Sequence, residues 1–542
     1  MRHFYLSLVT ILIAGAAQAQ AFWTATSYKG AFPVTDNTPA TDWTSGWANF
    51  DPENTVYPAT NTTVSTDITA DVTWSGVVLL QNKVYVKNNA TLTIAAGTII
   101  RGDGATQGSL IITKGAKIMA EGTSSNPIVF TSNQSVGNRA EGDWGGVVLL
   151  GKGINNQPGG IANIEGIAPS TDTEFGGTDD DDNSGVMKYV RIEFAGIALQ
   201  PNKEINGLTF GSVGNQTEID YVQVSFSGDD SFEWFGGTVD CRHLIAYRGL
   251  DDDFDMDFGF RGRIQFGLIV RDPDLSDAAG DSNTFECDND GTGSGAQPLT
   301  APILSNITTV GPLSDGSVVL PGGEKFEKSF RLRRNSSVSL FNSLSTGWEK
   351  GLSIEGASTE DNYTVNDSAV FANNILAGYT AGTNAITATS SFYNNFFSTD
   401  NNDSTTTVAQ INWVDIFTAL GTTPDARLTA GSAAATGASF TDAKFQGGFI
   451  GLNEVTAIGS VGVYPNPMNQ EATVAVTLNN SADVVIALYD LSGKQVASIF
   501  NGNMNAGANT VLFSSNNLNA GLYTAVISSN GYNQTIKLVV AK

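Results

Sequence analysis

The chain has 542 residues, of which 54 are acidic and 28 are Lys or Arg, giving a formal net charge of −26 at pH 7. A surface this acidic repels nucleic acids and anionic lipids, which argues against DNA or RNA binding, and it can collect divalent cations. The chain is too long for one ordinary hydrophobic core, so we expect either several domains or an elongated repeat. The 59 glycines and 41% hydrophobic residues indicate a turn-rich β protein.

The N-terminus has the pattern of a secretory leader. Arg2 precedes an apolar run from Phe4 to Ala14, and Ala17-Gln18-Ala19 is a small-residue cleavage pattern. We therefore predict a signal peptide over residues 1–19, which is too short to serve as a membrane anchor. No later run of about 18 apolar residues follows, so the sequence predicts no transmembrane helix.

Residues 20–71 are rich in aromatic side chains. An elongated repeat exposes strand edges at its open ends, and these edges need a cover. We interpret the segment as a cap on the first coil of the region that follows, with a carbohydrate-stacking platform as the alternative. The ring-bearing residues are Phe22, Trp23, Tyr28, Phe32, Trp43, Trp47 and Phe50.

From residue 72 to 451 short apolar segments recur. Segments reading YVRIEFAG, YVQVSFSG, HLIAYRGL and FGLIVRDP start at 189, 221, 243 and 266, at intervals of 32, 22 and 23 residues. Short strands at this spacing, without amphipathic helices between them, predict a solenoid. Hairpins of a β-sandwich are the alternative, but their two-residue Asn-Gly or Asp-Gly turns are not used consistently.

Recurring asparagines support the solenoid. Asn306, Asn342, Asn374 and Asn395 can be aligned, and identical asparagines on successive coils of a parallel β-helix bond as a ladder. With phrases such as GSLIITKGAKIMAEGTSSNPIVFTS at 108–132, the region resembles the pectin-lyase-like superfamily, including secreted bacterial members of no assigned activity. The resemblance implies an all-β fold, with a right-handed parallel β-helix over residues 72–451.

After a linker at 452–460, residues 461–542 alternate apolar and polar side chains, which predicts a small C-terminal β-sandwich. The motifs YPNP, YDLSGKQV, LNAGLYTAVIS and a final KLVVAK occur there in order. They resemble the C-terminal type A sorting domain of type IX secretion cargo. The residues that carry this resemblance are Tyr464, Pro465, Asn466, Pro467, Gly493, Gly521 and Tyr523.

That resemblance implies a route and a set of partners. The cargo would cross the periplasm and the outer membrane through the type IX machinery, and a sortase would remove the tail. The mature protein would then be released, or attached to lipopolysaccharide at the cell surface. The resemblance implies nothing about what the cargo does.

Two acidic stretches repeat with a shift of 22 residues. SGDDSFEWFGG starts at 227 and RGLDDDFDMDFGF at 248, so Phe232 falls on Phe254 and Glu233 on Asp255. A third stretch, SNTFECDNDG from 282, continues the alignment. Two carboxylates stacked one coil apart repel each other by roughly 1 kcal/mol or more, so water, arginine or a metal ion must offset the repulsion.

Oxygen ligands in an exported protein suit Ca²⁺, and no organic cofactor is predicted. The alternative is neutralisation by arginines of the same coils, namely Arg242, Arg248, Arg261, Arg263 and Arg271. The predicted calcium ligands are Glu233, Asp255, Asp257, Glu286 and Asp288.

Catalysis is the competing interpretation. The Gly-Asp-Asp of SGDDSFEWFGG resembles that of polygalacturonase-like glycosidases, which implies acid and base roles for Asp229 and Asp230, with Asp252 one repeat later. The Gly-His-Gly and Arg-Ile-Lys elements of that family are absent. A calcium-dependent uronic-acid lyase with Arg248 or Arg271 as its base is a second enzyme alternative.

Since only one motif matches an enzyme, we favour a non-catalytic component of the cell surface or the secreted fraction, with an adhesive, envelope or glycan-binding role. Surface lipopolysaccharide and other glycans are the expected ligands. Cys241 and Cys287 are the only cysteines, and their spacing is compatible with a disulfide or with two buried thiols.

Overall fold

The computed structural model describes residues 22–200, 203–277, 282–313, 325–379, 386–387, 400–417, 423–446, 458–478, 481–489, 494–516, 518–529 and 532–542. The chain divides into two compact units, Met1–Phe449 and Ile450–Lys542. The predicted leader lies outside the described residues. Among the described helices, none combines the length and apolar character needed to cross a bilayer.

The first unit is built almost entirely from short strands. Its first sixteen strands are β1 (Thr62–Val64), β2 (Val72–Trp74), β3 (Val77–Leu80), β4 (Lys83–Val86), β5 (Thr91–Ile94), β6 (Ile99–Gly102), β7 (Ser109–Ile112), β8 (Lys117–Glu121), β9 (Ile128–Ser132), β10 (Val147–Leu150), β11 (Ala162–Asn163), β12 (Glu174–Phe175), β13 (Gly185–Glu193), β14 (Ala198–Gln200), β15 (Lys203–Glu204) and β16 (Leu208–Gly211).

The remaining strands of this unit are β17 (Glu218–Ser225), β18 (Phe232–Phe235), β19 (Asp240–Tyr247), β20 (Phe254–Asp257), β21 (Arg263–Val270), β22 (Phe285–Cys287), β23 (Ile303–Val310), β24 (Lys328–Leu332), β25 (Ser339–Phe341), β26 (Leu344–Thr346), β27 (Lys350–Ile354), β28 (Phe371–Ala372), β29 (Ile375–Ala377), β30 (Ile386–Thr387), β31 (Trp413–Asp415) and β32 (Asp425–Leu428). Its α-helices are α1 (Ala357–Thr364), α2 (Val408–Ile411) and α3 (Ala443–Gln446). Short 3₁₀ turns lie at Pro39–Thr41, Gly104–Thr106 and Pro158–Gly160.

Strands of successive coils pair in parallel on three faces, which confirms the predicted parallel β-helix. One face is a ten-stranded sheet that runs from β4 through β7, β10, β16, β18, β20, β22, β24 and β27 to β30. The other two faces belong to one larger sheet because several long strands turn the corner between them. In β13, Gly185–Lys188 pairs with β8, whereas Val190–Ile192 pairs with β9.

The residue at that corner adopts a left-handed backbone conformation in successive coils. Tyr189, Tyr221, His243 and Phe266 have φ values of 50°, 55°, 49° and 66°. Such values are rare for bulky residues, so the coils on either side must hold them. Their rings stack outside the core at centroid distances of 4.5, 4.2 and 5.0 Å, and we call them the corner stack.

The interior of the solenoid contains the predicted ring column. Phe232 pairs with Phe254, Phe254 with Phe285, and Phe285 with Phe330, and all four side chains are buried. Their ring centroids are 5.5, 5.5 and 4.9 Å apart. Each large side chain removed from water contributes about 1.5–3 kcal/mol, so the column both stabilises the coils and fixes their register.

The aromatic N-terminal segment differs from the expected cap. Residues 22–57, here named the strap, run along the outside of the solenoid, and the coils begin at β1 rather than at residue 72. Trp47 packs edge-on against Tyr189 and Tyr221, and Phe50 against Tyr247. Unlike the predicted cap, the strap buries Trp47 against the corner stack and Phe50 against Tyr247, on the flank of the solenoid. Both rings are buried and so are not exposed for stacking on a carbohydrate.

The asparagine ladder also differs from the expectation. Asn374 donates to the side chain of Asn402 at 3.2 Å, and Asn342 bonds to the backbone of Ser439. Asn306 and Asn342 occupy left-handed corner positions, with φ of 59° and 51°, so their amides face crossing segments of the chain. Asn395 lies outside the described residues.

The second unit is a small antiparallel sandwich, as predicted. Its two sheets, β33-β34-β37 and β36-β35-β38-β39, share one apolar core that includes Val474, Ile486 and Ile527. Its strands are β33 (Ile458–Tyr464), β34 (Glu471–Leu478), β35 (Ala482–Tyr489), β36 (Gln495–Met504), β37 (Gly507–Ser514), β38 (Gly521–Ser529) and β39 (Tyr532–Val540).

Candidate functional site

The predicted acidic columns lie on the ten-stranded face. Glu233, Asp255 and Glu286 occupy equivalent positions of β18, β20 and β22, one residue beyond the inward-facing ring column. Because side chains alternate along a strand, these carboxylates point away from the core. The register therefore brings together acids that are 22 and 31 residues apart in the chain, as the sequence repeat indicated.

Five carboxylates gather around β18 and β20, in the middle of this face, and we call them the acid cluster. Oxygens of Asp230, Glu233 and Asp255 lie within 4.8 Å of one another, and so do oxygens of Asp229, Asp230 and Asp251. Asp230 belongs to both groups. Asp230 and Glu233 are buried, whereas Asp229, Asp251 and Asp255 are half-buried, so the cluster reaches from the wall towards solvent.

Burial and mutual repulsion shift the titration of these groups. Burial, followed by the charges of Asp229 and Asp255, raises the pKa of Asp230 well above its usual range. Burial and the charge of Glu233 do the same to the pKa of Asp255, and burial raises the pKa of Asp257 to about 8. Burial and mutual repulsion therefore favour the protonated forms of these carboxyl groups, and a nearby positive charge would favour the ionised forms.

Arginines neutralise the other end of the acidic columns. Arg331 donates to Glu286 at 2.9 Å, Arg333 bonds to both Glu286 and Asp288, and Arg334 reaches Asp288 at 2.6 Å. By contrast, none of the basic residues described forms an ion pair with Asp230, Glu233 or Asp255. Two predicted calcium ligands, Glu286 and Asp288, thus have arginine partners, while Glu233 and Asp255 form no ion pair with a described basic residue.

The sequence did not point to Arg331, Arg333 and Arg334. The arginines that it did point to have partners outside the acidic columns. The ion pairs of those residues are Arg248 with Asp272, Arg261 with Asp180, Arg263 with Asp240, and Arg271 with Asp253. Arg242 donates to Thr24 of the strap. The register pairs Glu286 with Arg331 across an interval of 45 residues that no repeat marks.

A buried amide adjoins the acid cluster. Asn206 is 5% exposed, and its Nδ2 contacts Glu233 while its Oδ1 has no hydrogen-bond donor among the described residues. Burying an amide oxygen without a partner costs about 1–3 kcal/mol. An amide oxygen is a ligand type that hard cations accept, and this one belongs to a residue in contact with Glu233.

Two residues predicted for catalysis, Asp230 and Asp252, form hydrogen bonds between neighbouring coils. Asp230 accepts from the backbone N–H of Asp252 at 3.0 Å, and Asp252 accepts from the backbone and side chain of Asn283 at 2.6 and 3.0 Å. Asp252 is 5% exposed. These bonds link turns of neighbouring coils, which leaves Asp252 poorly placed to reach a glycosidic oxygen. Arg271, a lyase-base candidate, is fully buried against Asp253.

An insertion covers part of the same face beside the acid cluster. β11 and β12 form a short antiparallel pair, and Phe175 of β12 stacks on Phe235 of β18 at 5.9 Å. The charge of Glu165, from the same insertion, contributes to raising the pKa of Glu233 after burial and Asp229. The cluster therefore lies at the edge of a covered surface, which explains the burial of Glu233.

Comparison with known families is consistent with this geometry. A family described as a pectate-lyase-like β-helix domain matches residues 62–418. The chain belongs to the pectate-lyase-like β-helix family. No curated protein matched the chain.

Two tailspike structures are similar to this pectate-lyase-like β-helix. The Dettilon tailspike protein (gp208) is 8% identical over 81% of this chain and 86% of its own, with a TM-score of 0.26. Tailspike protein 2 from Escherichia coli O157:H7 bacteriophage CAB120 is 9% identical over 86% of this chain and 65% of its own, with a TM-score of 0.22. Scores this low say nothing about function.

A second family, the secretion system C-terminal sorting domain, matches residues 462–541 of this pectate-lyase-like β-helix protein. The protein is therefore type IX cargo, secreted to the cell surface or the extracellular space. Within the motif, Asn466 bonds to the backbone of Lys537 and Val539, and Tyr523 donates to Asn519. Tyr464 is 56% exposed, Gly521 opens β38, and Pro465 and Pro467 flank Asn466. Gly493 lies outside the described residues.

Proposed function

We propose that this exported β-helix is a non-catalytic surface or matrix component that binds Ca²⁺ at the acid cluster and uses it to stabilise the rod and hold glycans. The observation that carries the proposal is the contrast within one acidic column. Arg331, Arg333 and Arg334 form ion pairs with Glu286 and Asp288. Asp230, Glu233 and Asp255 crowd together without an ion pair to any described Lys or Arg, although the charge of Arg333 reaches Asp255.

Calcium suits these ligands better than the other common cations do. The set consists of carboxylates and one amide oxygen, and Ca²⁺ takes six to eight such oxygens at flexible geometry, whereas zinc sites use nitrogen and sulfur. The half-buried Asp255 and Asp251 leave coordination positions open to solvent. A carboxylate or hydroxyl of a surface glycan would fill these positions.

Calorimetry and thermal unfolding with Ca²⁺ test the ion site. We expect heat of binding and a raised Tm for the native protein, and at least a tenfold weaker affinity in Asp255→Asn. The matched control is Asp415→Asn, which removes an exposed carboxylate of β31 and should bind as the native chain does. Absence of both heat and Tm shift at millimolar Ca²⁺ would overturn the proposal.

A polysaccharide hydrolase is the second candidate, and one observation favours it. Burial raises the pKa of Asp257 to about 8, so this half-buried carboxyl would be mostly protonated at pH 7, as a general acid must be. Incubation with pectins and alginate, followed by assay of reducing and unsaturated ends, separates the two functions. Release that disappears in Asp230→Asn would favour catalysis, whereas calcium-dependent retention on glycans without release favours binding.

A further inference from the structure

Buried side-chain amides of the solenoid bind the main chain of the strap. Gln265 accepts from the N–H of Thr24 and donates to its carbonyl, both at 2.8 Å. Gln223 does the same to Asn49 at 2.8 and 2.7 Å. Both glutamines are fully buried. Each amide thus binds one strap residue as a neighbouring β-strand would, without reading its side chain.

Aromatic anchors and arginines complete the same surface. Trp47 is 1% exposed and sits on the corner stack, while Phe22 lies under the guanidinium groups of Arg242 and Arg263 at 5.1 and 4.6 Å. Arg139 donates to the strap carbonyls of Pro52 and Thr55 at 2.6 and 2.8 Å. Buried aromatic anchors and arginines are the residue types that dominate binding energy at protein interfaces.

Arginines of the solenoid flank donate hydrogen bonds to the strap. The strap carries one lysine and four acidic residues, and the flank supplies arginines although the chain as a whole is strongly acidic. Arg191 donates to the carbonyl of Trp47, and Arg242 to the hydroxyl of Thr24. These arginines therefore bind carbonyl and hydroxyl oxygens of the strap rather than its carboxylates.

We infer that this flank is a peptide-binding groove and that its ligand is the chain's own strap, bound in cis. The inference does not depend on calcium. Residues from Arg139 to Asn342 form the groove. The strap also bonds to the backbone of Leu428, which accepts from the N–H of Thr35 and donates to the carbonyl of Pro33. The strap therefore docks after nearly all of the first unit is in place, although it is the first part of that unit to be made.

A nick in the connection between strap and coils tests this inference on the full chain. A protease site inserted after the exposed Ala59 separates residues up to 59 from β1 without altering the groove. After cleavage we expect the strap fragment to co-elute with the solenoid, and an excess of labelled peptide spanning 22–57 to replace it slowly. Immediate loss of the fragment from the nicked native protein would overturn the inference.

Variants of the amides sharpen the test. Gln223→Ala with Gln265→Ala should release the nicked strap at least tenfold faster, whereas Gln216→Ala, an exposed amide of the same region, should not change the rate. If the double variant fails to fold, Trp47→Ala leaves the solenoid sequence intact and should also speed release. Equal release rates in the native chain and in Trp47→Ala would contradict the groove.

Discussion

The carboxylate of Asp230 accepts a hydrogen bond at 3.0 Å from the backbone N–H of Asp252, which lies 22 residues further along the chain and one coil further along the solenoid. Asp252 repeats the arrangement with Asn283. These buried acids therefore join adjacent coils and at the same time concentrate negative charge. The two roles conflict as the carboxyls ionise, because the bonds favour folding while the charges oppose it.

The stability of the calcium-free protein should fall as pH rises. Burial raises the pKa of Asp253 to about 7 and of Asp257 to about 8, and it raises the pKa of Asp230 well above its ordinary value. The folded state thus binds more protons than the unfolded state, so this stability is complete below about pH 4 and is lost as pH rises through 7 to 8.

Urea unfolding in a chelator at pH 5 and pH 8 measures this effect. We expect the lower midpoint at pH 8, with Ca²⁺ restoring more stability at pH 8 than at pH 5 because it replaces the lost protons. Glu233→Gln should flatten the pH dependence. A higher midpoint at pH 8 in the chelator would contradict the charge argument.

Removing one partner of the buried ion pair between Arg271 and Asp253 should strongly destabilise the first unit. Both side chains are fully buried, 3.1 Å apart, and the guanidinium lies over Phe326 and Trp348. Arg271→Leu leaves a buried carboxylate without its cation, which costs about 3–5 kcal/mol. The double variant with Asp253→Leu should recover most of that loss in urea unfolding, and a single variant within 1 kcal/mol of native would contradict this.

Cys241 and Cys287 should behave as inert thiols rather than as a disulfide. Both are free and fully buried, and burial raises the pKa of each thiol well above its usual value. Only thiolates react readily, so we expect no labelling of native protein and labelling of both thiols after denaturation. A Tm that falls on adding a reductant would show a disulfide instead.

Deleting Val461–Lys542 should stop export. The sorting domain occupies that segment, and the first unit has its own core, so the truncated protein should fold and remain in the periplasm. Fractionation followed by immunoblotting measures the outcome. The matched control is full-length Asp255→Asn, which keeps the tail and should reach the medium or the cell surface. Normal secretion of the truncated chain would refute the role of the tail.

The sequence predicted the parts of the fold that repeat with conserved chemistry. Phe232, Phe254 and Phe285 align because these neighbouring coils place an inward ring at the same position, so a 22-residue shift revealed the register. Arg331 stayed hidden because long insertions separate it from Glu286. The strap was misassigned because aromatic composition shows that a segment is buried but not against which surface, and Gln223 and Gln265 carry no motif that marks them as ligands for a main chain.

The ring column has a consequence for how such a molecule changes over generations. Four successive turns, from Phe232 to Phe330, present an inward ring at the same position. Duplicating residues 232–253 would therefore insert one more layer with a ring that fits its neighbours on both sides. The reach of the protein would grow by about 4.8 Å per inserted layer. Length is thus the property that selection can adjust in whole steps, while the chemistry at either end stays as it was.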